Sequence, residues 1–337
     1  MITRFRIFSL LFIFALGFTA CNKDEPKGPI FTDGLNLIIQ NQFESLPAKV
    51  SVFFKVETAD GEPVAGLTDT DFNILENDKL ISADEAARQI SPRAQQFAYS
   101  TLLILDLSAS VTNNNLPRLK EASKQFIKAV IPENNDGSIE IGIAWFDGED
   151  VLHQLHDFSS DVSSLTTTID NISKDISQDN STDLYGAVIK GVSKINSVFF
   201  EFQNDDRISA ASIVVFTDGT DQAARYTEER ALQSVDRADE DIAFYSIGLG
   251  NEIDESVLRK IGKDGFVFAQ NTNQLIETFG KIAEIVSKDA NSYYLFEYCS
   301  PKRNGQHEVT IEAIYNNLRG NVTTEFDATE FGGGCSL

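Results

Sequence analysis

From residue 97 to residue 290, continuous apolar runs alternate with stretches of helical periodicity. Leu102-Leu103-Ile104-Leu105, Ile213-Val214-Val215-Phe216 and Ile242-Ala243-Phe244-Tyr245 carry no polar alternation, and Ile139 to Phe146 carries almost none. Such runs are the pattern of strands covered on both faces, as in a parallel sheet. Between them, Leu116, Leu119, Ala122, Phe126, Ala129 and Val130 fall on one helical face, and Leu184, Ala187, Val188, Gly191, Val192, Ile195 and Phe199 on another. Shorter apolar faces recur at Ala231, Val235 and Ala238, at Val257, Leu258 and Ile261, and at Leu275, Ile276, Phe279, Ile282, Ala283 and Val286. Strand–helix units repeated in this way, with right-handed crossovers, predict an α/β fold over residues 96–290: a doubly wound, mostly parallel sheet.

On either side the period falls to two. Val50, Val52, Phe54 and Val56 alternate with Ser51, Phe53, Lys55 and Glu57, and Asp60-Gly61 then marks a turn. Phe72 to Glu76 runs into Asn77-Asp78, a hairpin signal, so residues 35–95 read as a β region. Strand patterns return at Tyr293–Tyr298, His307–Tyr315 and Asn321–Phe326. The simplest arrangement packs residues 291–337 with 35–95 as a small β-sandwich carrying the α/β unit as an insertion. Two separate β pieces are the alternative, each with a small core.

The N-terminus has a different character. Arg4 and Arg6 precede the apolar stretch Ile7 to Leu16, which is too short to span a bilayer and has the form of a secretion signal. Gly17-Phe18-Thr19-Ala20-Cys21 resembles the lipobox of bacterial lipoproteins, although Phe18 stands where Leu is usual. The resemblance implies a signal peptide at 1–20, lipidation of Cys21 and an outer-membrane lipoprotein, with residues 21–34 as a polar tether; plain secretion is the alternative. Lys23-Asp24-Glu25 resembles a surface-export signal, which would put the protein on the cell surface.

Composition narrows the partners. The 337 residues are 42% hydrophobic and 23% charged, as in a folded protein, and 28 Lys and Arg face 51 Asp and Glu. The formal charge is −23, and without the leader, which holds two Arg and no acid, it is −25. This excess excludes sequence-independent nucleic-acid binding and docking on anionic lipid through basic residues, leaving the lipid anchor as the membrane contact. In an exported chain the remaining pair, Cys299 and Cys335, reads as a disulfide, with two buried free thiols as the alternative.

Ligands of open α/β sheets bind beyond the carboxyl ends of the strands. The first central strand ends at Asp106-Leu107-Ser108-Ala109-Ser110, and the strand at 213–216 runs into Thr217-Asp218-Gly219. A helix opens between them at Ser181-Thr182-Asp183. Asp106, Ser108, Ser110, Thr182 and Asp218 are hard oxygen donors without His or Cys, a set that suits Mg²⁺, or Mn²⁺ or Ca²⁺, rather than Zn²⁺. The Asp-x-Ser-x-Ser, the Thr before Leu184-Tyr185 and the Thr-Asp-Gly after an apolar strand together resemble the von Willebrand factor A domain over residues 97–290. The resemblance implies that these five residues form a metal-ion-dependent adhesion site. Ser108, Ser110 and Thr182 would ligate the ion through hydroxyls, Asp106 and Asp218 directly or through water, and an Asp or Glu carboxylate of a protein partner would complete the shell. Ser181 stands where the family often has Gly. The implied function is adhesion or protein–protein interaction without catalysis. A metal-assisted hydrolase, or a periplasmic assembly or scaffold protein using the same site, are the alternatives. In the family the last helix can move with metal coordination, and residues 272–290 would supply it here.

Other candidates are weaker. His153 and His156 lie three apart near an expected edge strand and read as surface residues. Asn134-Asn135-Asp136-Gly137 reads as a turn, since Pro132 occupies the first position of the calcium loop it would need to be.

Overall fold

The computed structural model describes residues 34–81, 88–91, 97–204 and 207–337. The expected leader, Cys21 and the tether up to residue 33 lie outside them. The chain opens with β1 (Leu35–Ser45), β2 (Lys49–Thr58), β3 (Phe72–Glu76), β4 (Lys79–Leu80) and β5 (Arg88–Ser91). It continues through β6 (Phe97–Asp106), α1 (Ala109–Asn114), α2 (Leu116–Val130), β7 (Ile139–Phe146), β8 (His153–Ser159), α3 (Val162–Asp170) and α4 (Leu184–Asn204). After β9 (Ile208–Thr217), α5 (Glu228–Asp236), β10 (Ile242–Leu249), α6 (Glu255–Ile261), β11 (Gly265–Ala269) and α7 (Leu275–Ala290), it ends in β12 (Tyr293–Cys299), β13 (Gln306–Tyr315) and β14 (Leu318–Asp327).

The α/β reading holds. Six strands in the order β11-β10-β9-β6-β7-β8 form the central sheet, parallel except for the edge strand β8. All ten residues of β6 are buried, because helices cover both faces. Leu103 and Leu105 face one way, into a core with α2, α3 and α7, and Leu102 and Ile104 face the other, toward α4, α5 and α6. Asp161, Thr227 and Asp254 cap α3, α5 and α6 by accepting from free backbone N–H groups of their first turns. Three elements escape the periodicity reading: α1 is six residues long, α3 is short and rich in Ser and Thr, and β11 is a five-residue edge strand.

The two β segments meet in antiparallel pairs across the α/β unit. β12 lies between β2 and β5, and β13 between β14 and β3, giving the sheets β1-β2-β12-β5 and β14-β13-β3-β4. Val50, Val52, Phe54 and Val56 share a core with Ile74, Tyr294, Phe296, Ile311 and Phe326. Phe53, Tyr293 and Leu295 point to the other side and pack with Phe97 of β6; the Phe53 and Phe97 rings are 5.1 Å apart. The period-two pattern of β2 therefore serves two cores rather than a core and solvent. Asn77 and Asp78 take positive φ in the β3–β4 turn, as the hairpin signal requires. Cys299 and Cys335 are disulfide-bonded with their Cα atoms 5.8 Å apart, which ties the C-terminal segment to the end of β12.

Candidate metal centre

The carboxyl ends of β6, β7 and β9 set the site. Asp106, the last residue of β6, is fully buried, and its Oδ1 accepts from the Ser108 N–H at 2.9 Å while its Oδ2 accepts from the Thr217 hydroxyl at 2.6 Å. The second bond joins the ends of neighbouring strands, since Leu105 pairs with Phe216 in the parallel ladder. Ser108 then starts α1 and Ser110 lies in its first turn, which brings their hydroxyl oxygens to 3.3 Å. The Ser110 hydroxyl donates to Asp218 Oδ1 at 2.7 Å, and Asn115 Nδ2 donates to Asp218 Oδ2 at 3.1 Å. Asn115 in turn accepts from the Thr272 hydroxyl at 2.6 Å, just ahead of α7. Thr182 is buried two residues before α4, and a Cβ on Gly219 would lie 3.8 Å from its Oγ1. Its carbonyl accepts from the N–H groups of Gln222 and Ala223 at 2.8 and 3.1 Å, which links the Thr182 loop to the Asp218 loop. All five predicted residues thus converge on one sheet edge.

The electrostatics are those of a site short of positive charge. Burial, then the neighbouring Asp218, pushes the Asp106 carboxyl up to about 7. Burial also raises Asp218, against the pull of its hydrogen bonds from Ser110 and Asn115. Among the described residues neither carboxylate forms an ion pair with Lys or Arg. Two carboxylates and three hydroxyls without a protein cation are a donor set that fits a hard divalent ion.

Sequence reasoning missed the support around this set. Asp147 is fully buried at the end of β7, and its Oδ2 accepts from the Ser177 hydroxyl and from the N–H groups of Gln178 and Asp179 at 2.9, 3.0 and 3.1 Å. The strand-end rule applied to β6 and β9 would have found it at β7. Asp147, Glu149 and His153 also form a group whose potential ligand atoms lie within 4.8 Å of one another. The His153 ring stacks on Trp145 at 4.1 Å with Nε2 3.3 Å from Glu149, so it is packed against the sheet edge rather than free at the surface. Asp147 Oδ1 already accepts from the Glu149 N–H, so four donors hold its carboxylate in place. His156 is separate, bonded to the Ser164 hydroxyl at 2.8 Å.

A doubly wound sheet with an Asp-x-Ser-x-Ser, Thr and Asp cluster at its carboxyl edge defines a class of α/β domains with a candidate cation site. The chain belongs to the von Willebrand factor type A domain family, whose sequence model matches residues 102–286. No curated protein sequence matches it. Similar solved structures include conserved hypothetical protein BatB from Bacteroides thetaiotaomicron, with 18% identity over 58% of this chain and all of that one and a TM-score of 0.44. A von Willebrand factor type A protein from Catenulispora acidiphila aligns with 90% of this chain and 74% of its own at 11% identity and a TM-score of 0.46. Proximal thread matrix protein 1 from the mussel byssus, with its metal-ion-dependent adhesion site occupied by zinc, aligns over 57% of this chain at 14% identity and a TM-score of 0.47; the match spans 48% of that protein. Among the described residues no helix is long and apolar enough to cross a membrane.

Proposed function

We propose that Asp106, Ser108, Ser110, Thr182 and Asp218 bind a divalent cation, Mg²⁺ in the first place, and that the ion captures an Asp or Glu carboxylate of a protein partner. The observation that carries this reading is the chain of contacts from Ser108 through Ser110 to Asp218, beside a buried Asp106 that no Lys or Arg among the described residues neutralises. On a chain with a formal charge of −23, a carboxylate meets repulsion at most approaches, and a bound cation supplies local attraction. Three of the five donors are neutral hydroxyls, which leaves a divalent ion positive enough to take an external carboxylate.

Binding rather than turnover is favoured because each histidine is engaged elsewhere: His153 with Glu149, His156 with Ser164, and His307 with Asn77 and the Asn304 carbonyl. Anchorage through a lipidated Cys21 after removal of residues 1–20, at the outer membrane and facing outward, completes the proposal. Residues 35–95 and 291–337 then serve as one β platform for the domain at 96–290, a reading that the β2–β12 and β3–β13 pairings support. The test is calorimetric titration with Mg²⁺ and Mn²⁺, followed by pull-down from candidate cell surfaces with and without chelator. Wild type is expected to bind metal and to retain partner only without chelator, and Asp218→Ala to do neither. Partner retention that survives both chelation and Asp218→Ala overturns the proposal.

A further inference from the structure

We propose that Asp147 is a positioning residue for the metal centre: together with Gly148 it fixes the loop that presents Thr182. This inference rests on the metal-binding reading above. Thr182 lies in an irregular segment between α3 and α4, where no helix or strand holds it. Its loop is instead built around one buried carboxylate. The Ser177 hydroxyl and the backbone N–H groups of Gln178 and Asp179 all donate to Asp147 Oδ2, and the Asp183 N–H donates to the Asp147 carbonyl at 2.8 Å. Asp147 therefore grips the loop on both sides of Thr182.

The next residue adds a second constraint. A Cβ on Gly148 would sit 2.0 Å from Ser181 Oγ and 2.4 Å from Asp179 Oδ1, so any other residue here displaces the two side chains that orient the loop. Asp179 in turn accepts from the Ser181 N–H and hydroxyl at 2.9 and 2.7 Å, which orients the residue before Thr182. The Gly148 carbonyl accepts from Arg225 Nε and Nη2 at 3.1 and 2.8 Å, drawing the segment after Asp218 to the same turn. Thr182 and the Asp218 segment thus take their positions from one dipeptide at the end of β7.

An Asn side chain at 147 cannot replace the carboxylate. With its oxygen toward the three loop donors, its NH₂ faces the Glu149 N–H; reversed, its NH₂ faces all three. Groups that hold metal ligands in place through hydrogen bonds typically change metal affinity about ten- to hundredfold when altered.

The test is calorimetric titration of the full chain with Mg²⁺ or Mn²⁺ alone, at a temperature where circular dichroism shows every variant folded. Asp147→Asn is expected to weaken binding by about ten- to hundredfold, and Ser177→Ala, which removes one of the donors, by less. Gly148→Ala is expected to act in the same direction and keeps the test valid if Asp147→Asn does not fold. Asp161→Ala removes a comparable carboxylate cap at the start of α3, away from the site, so it should lower the melting temperature and leave metal affinity unchanged. Amide exchange across residues 177–183 should rise in Asp147→Asn and not in Asp161→Ala. Wild-type affinity in both Asp147→Asn and Gly148→Ala overturns the inference while the metal reading stands, and so does a loss of affinity equal to that of Asp161→Ala. If wild type binds neither ion, the metal reading itself has failed, and this inference with it.

Discussion

The two edges of the central sheet are both acidic, but they solve the problem of crowded carboxylates in opposite ways. At the amino edge, Lys55 of β2 bridges Asp289 at 2.9 Å and Glu57 at 2.8 Å, and the Tyr99 hydroxyl donates to Asp289 at 2.5 Å. Lys55, Glu57 and Asp289 wall a cleft of about 520 Å³ that is also lined by Asp60, Glu62, Glu240, Lys263 and Asp264. Burial pulls the Lys55 ammonium down, and Asp289 and Glu57 more than reverse this, holding it up at about 12. At the carboxyl edge, Lys190 lies within ion-pair distance of the exposed Asp150 and the buried Asp183, while Asp106 and Asp218 receive only hydroxyl, amide and N–H donors. Where the chain supplies its own cation, the acidic cluster is part of the architecture. Where it supplies only neutral donors, the cluster is left short of positive charge, as the proposed cation site requires.

The largest expected effect tests the first half of that contrast. Lys55→Ala leaves Asp289 and Glu57 without their cation, and losing one partner of a buried pair costs about 3 kcal/mol or more. The raised pKa means that this contribution is complete below the ordinary Lys range and is lost only as pH rises through about 12, so melts at neutral pH measure it in full. Asp218→Asn should shift stability the other way. It removes a charge beside the buried Asp106, while its amide can still accept from Asn115 and donate to the Ser110 oxygen. Without metal the variant should be more stable than wild type by about 1 kcal/mol, and added Mg²⁺ should no longer raise its melting temperature. If the two substitutions shift the metal-free melt equally and in the same direction, the distinction between the edges is wrong.

How far the sequence reveals each edge follows from its chemistry. Four of the carboxyl-edge donors, Asp106, Ser108, Ser110 and Asp218, sit in short motifs at the ends of apolar strands, and Thr182 opens a helix between them, so chain order and the strand-end rule point to them without coordinates. Asp147 carries only half of that signal: the strand-end rule points to it, but its partners lie at 177–179 in a segment with no motif. Lys55 is harder still. It occupies a polar position in an alternating strand, which signals solvent, and it becomes part of an interior network only because the outer face of β2 is covered by the α/β unit. Asp289 sits in the last turn of α7, where an acid is normally exposed. Local pattern thus finds donors that each sit in a recognisable motif, even where the motifs lie more than 100 residues apart, and it misses residues whose partners carry no motif, even about 30 residues away.

The smallest effect separates the edges by pH. Burial first, then Asp239, lifts the Asp241 carboxyl to about 6; Glu240 and Asp289 add to the rise and Lys55 opposes it. The folded state therefore holds this proton more tightly than the unfolded chain does. Stability from this group is present below the ordinary Asp range, is lost as pH rises from about 4 to about 6, and stays lost above that. Asp241→Asn removes the titration. Relative to wild type it should be neutral near pH 4 and more stable by about 1 kcal/mol at pH 8, a value reduced by solvent screening because Asp241 is only partly buried. Thermal melts of the two proteins from pH 4 to pH 8 measure the difference, and a gap independent of pH would show that Asp241 does not titrate as described. Since Asp241 stands at the start of β10 and the metal centre at the far ends of β6 and β9, the Mg²⁺-induced rise in melting temperature at pH 8 should be the same with and without the substitution. A change in that rise would mean that the amino edge regulates the cation site and that the two acidic edges form one electrostatic system.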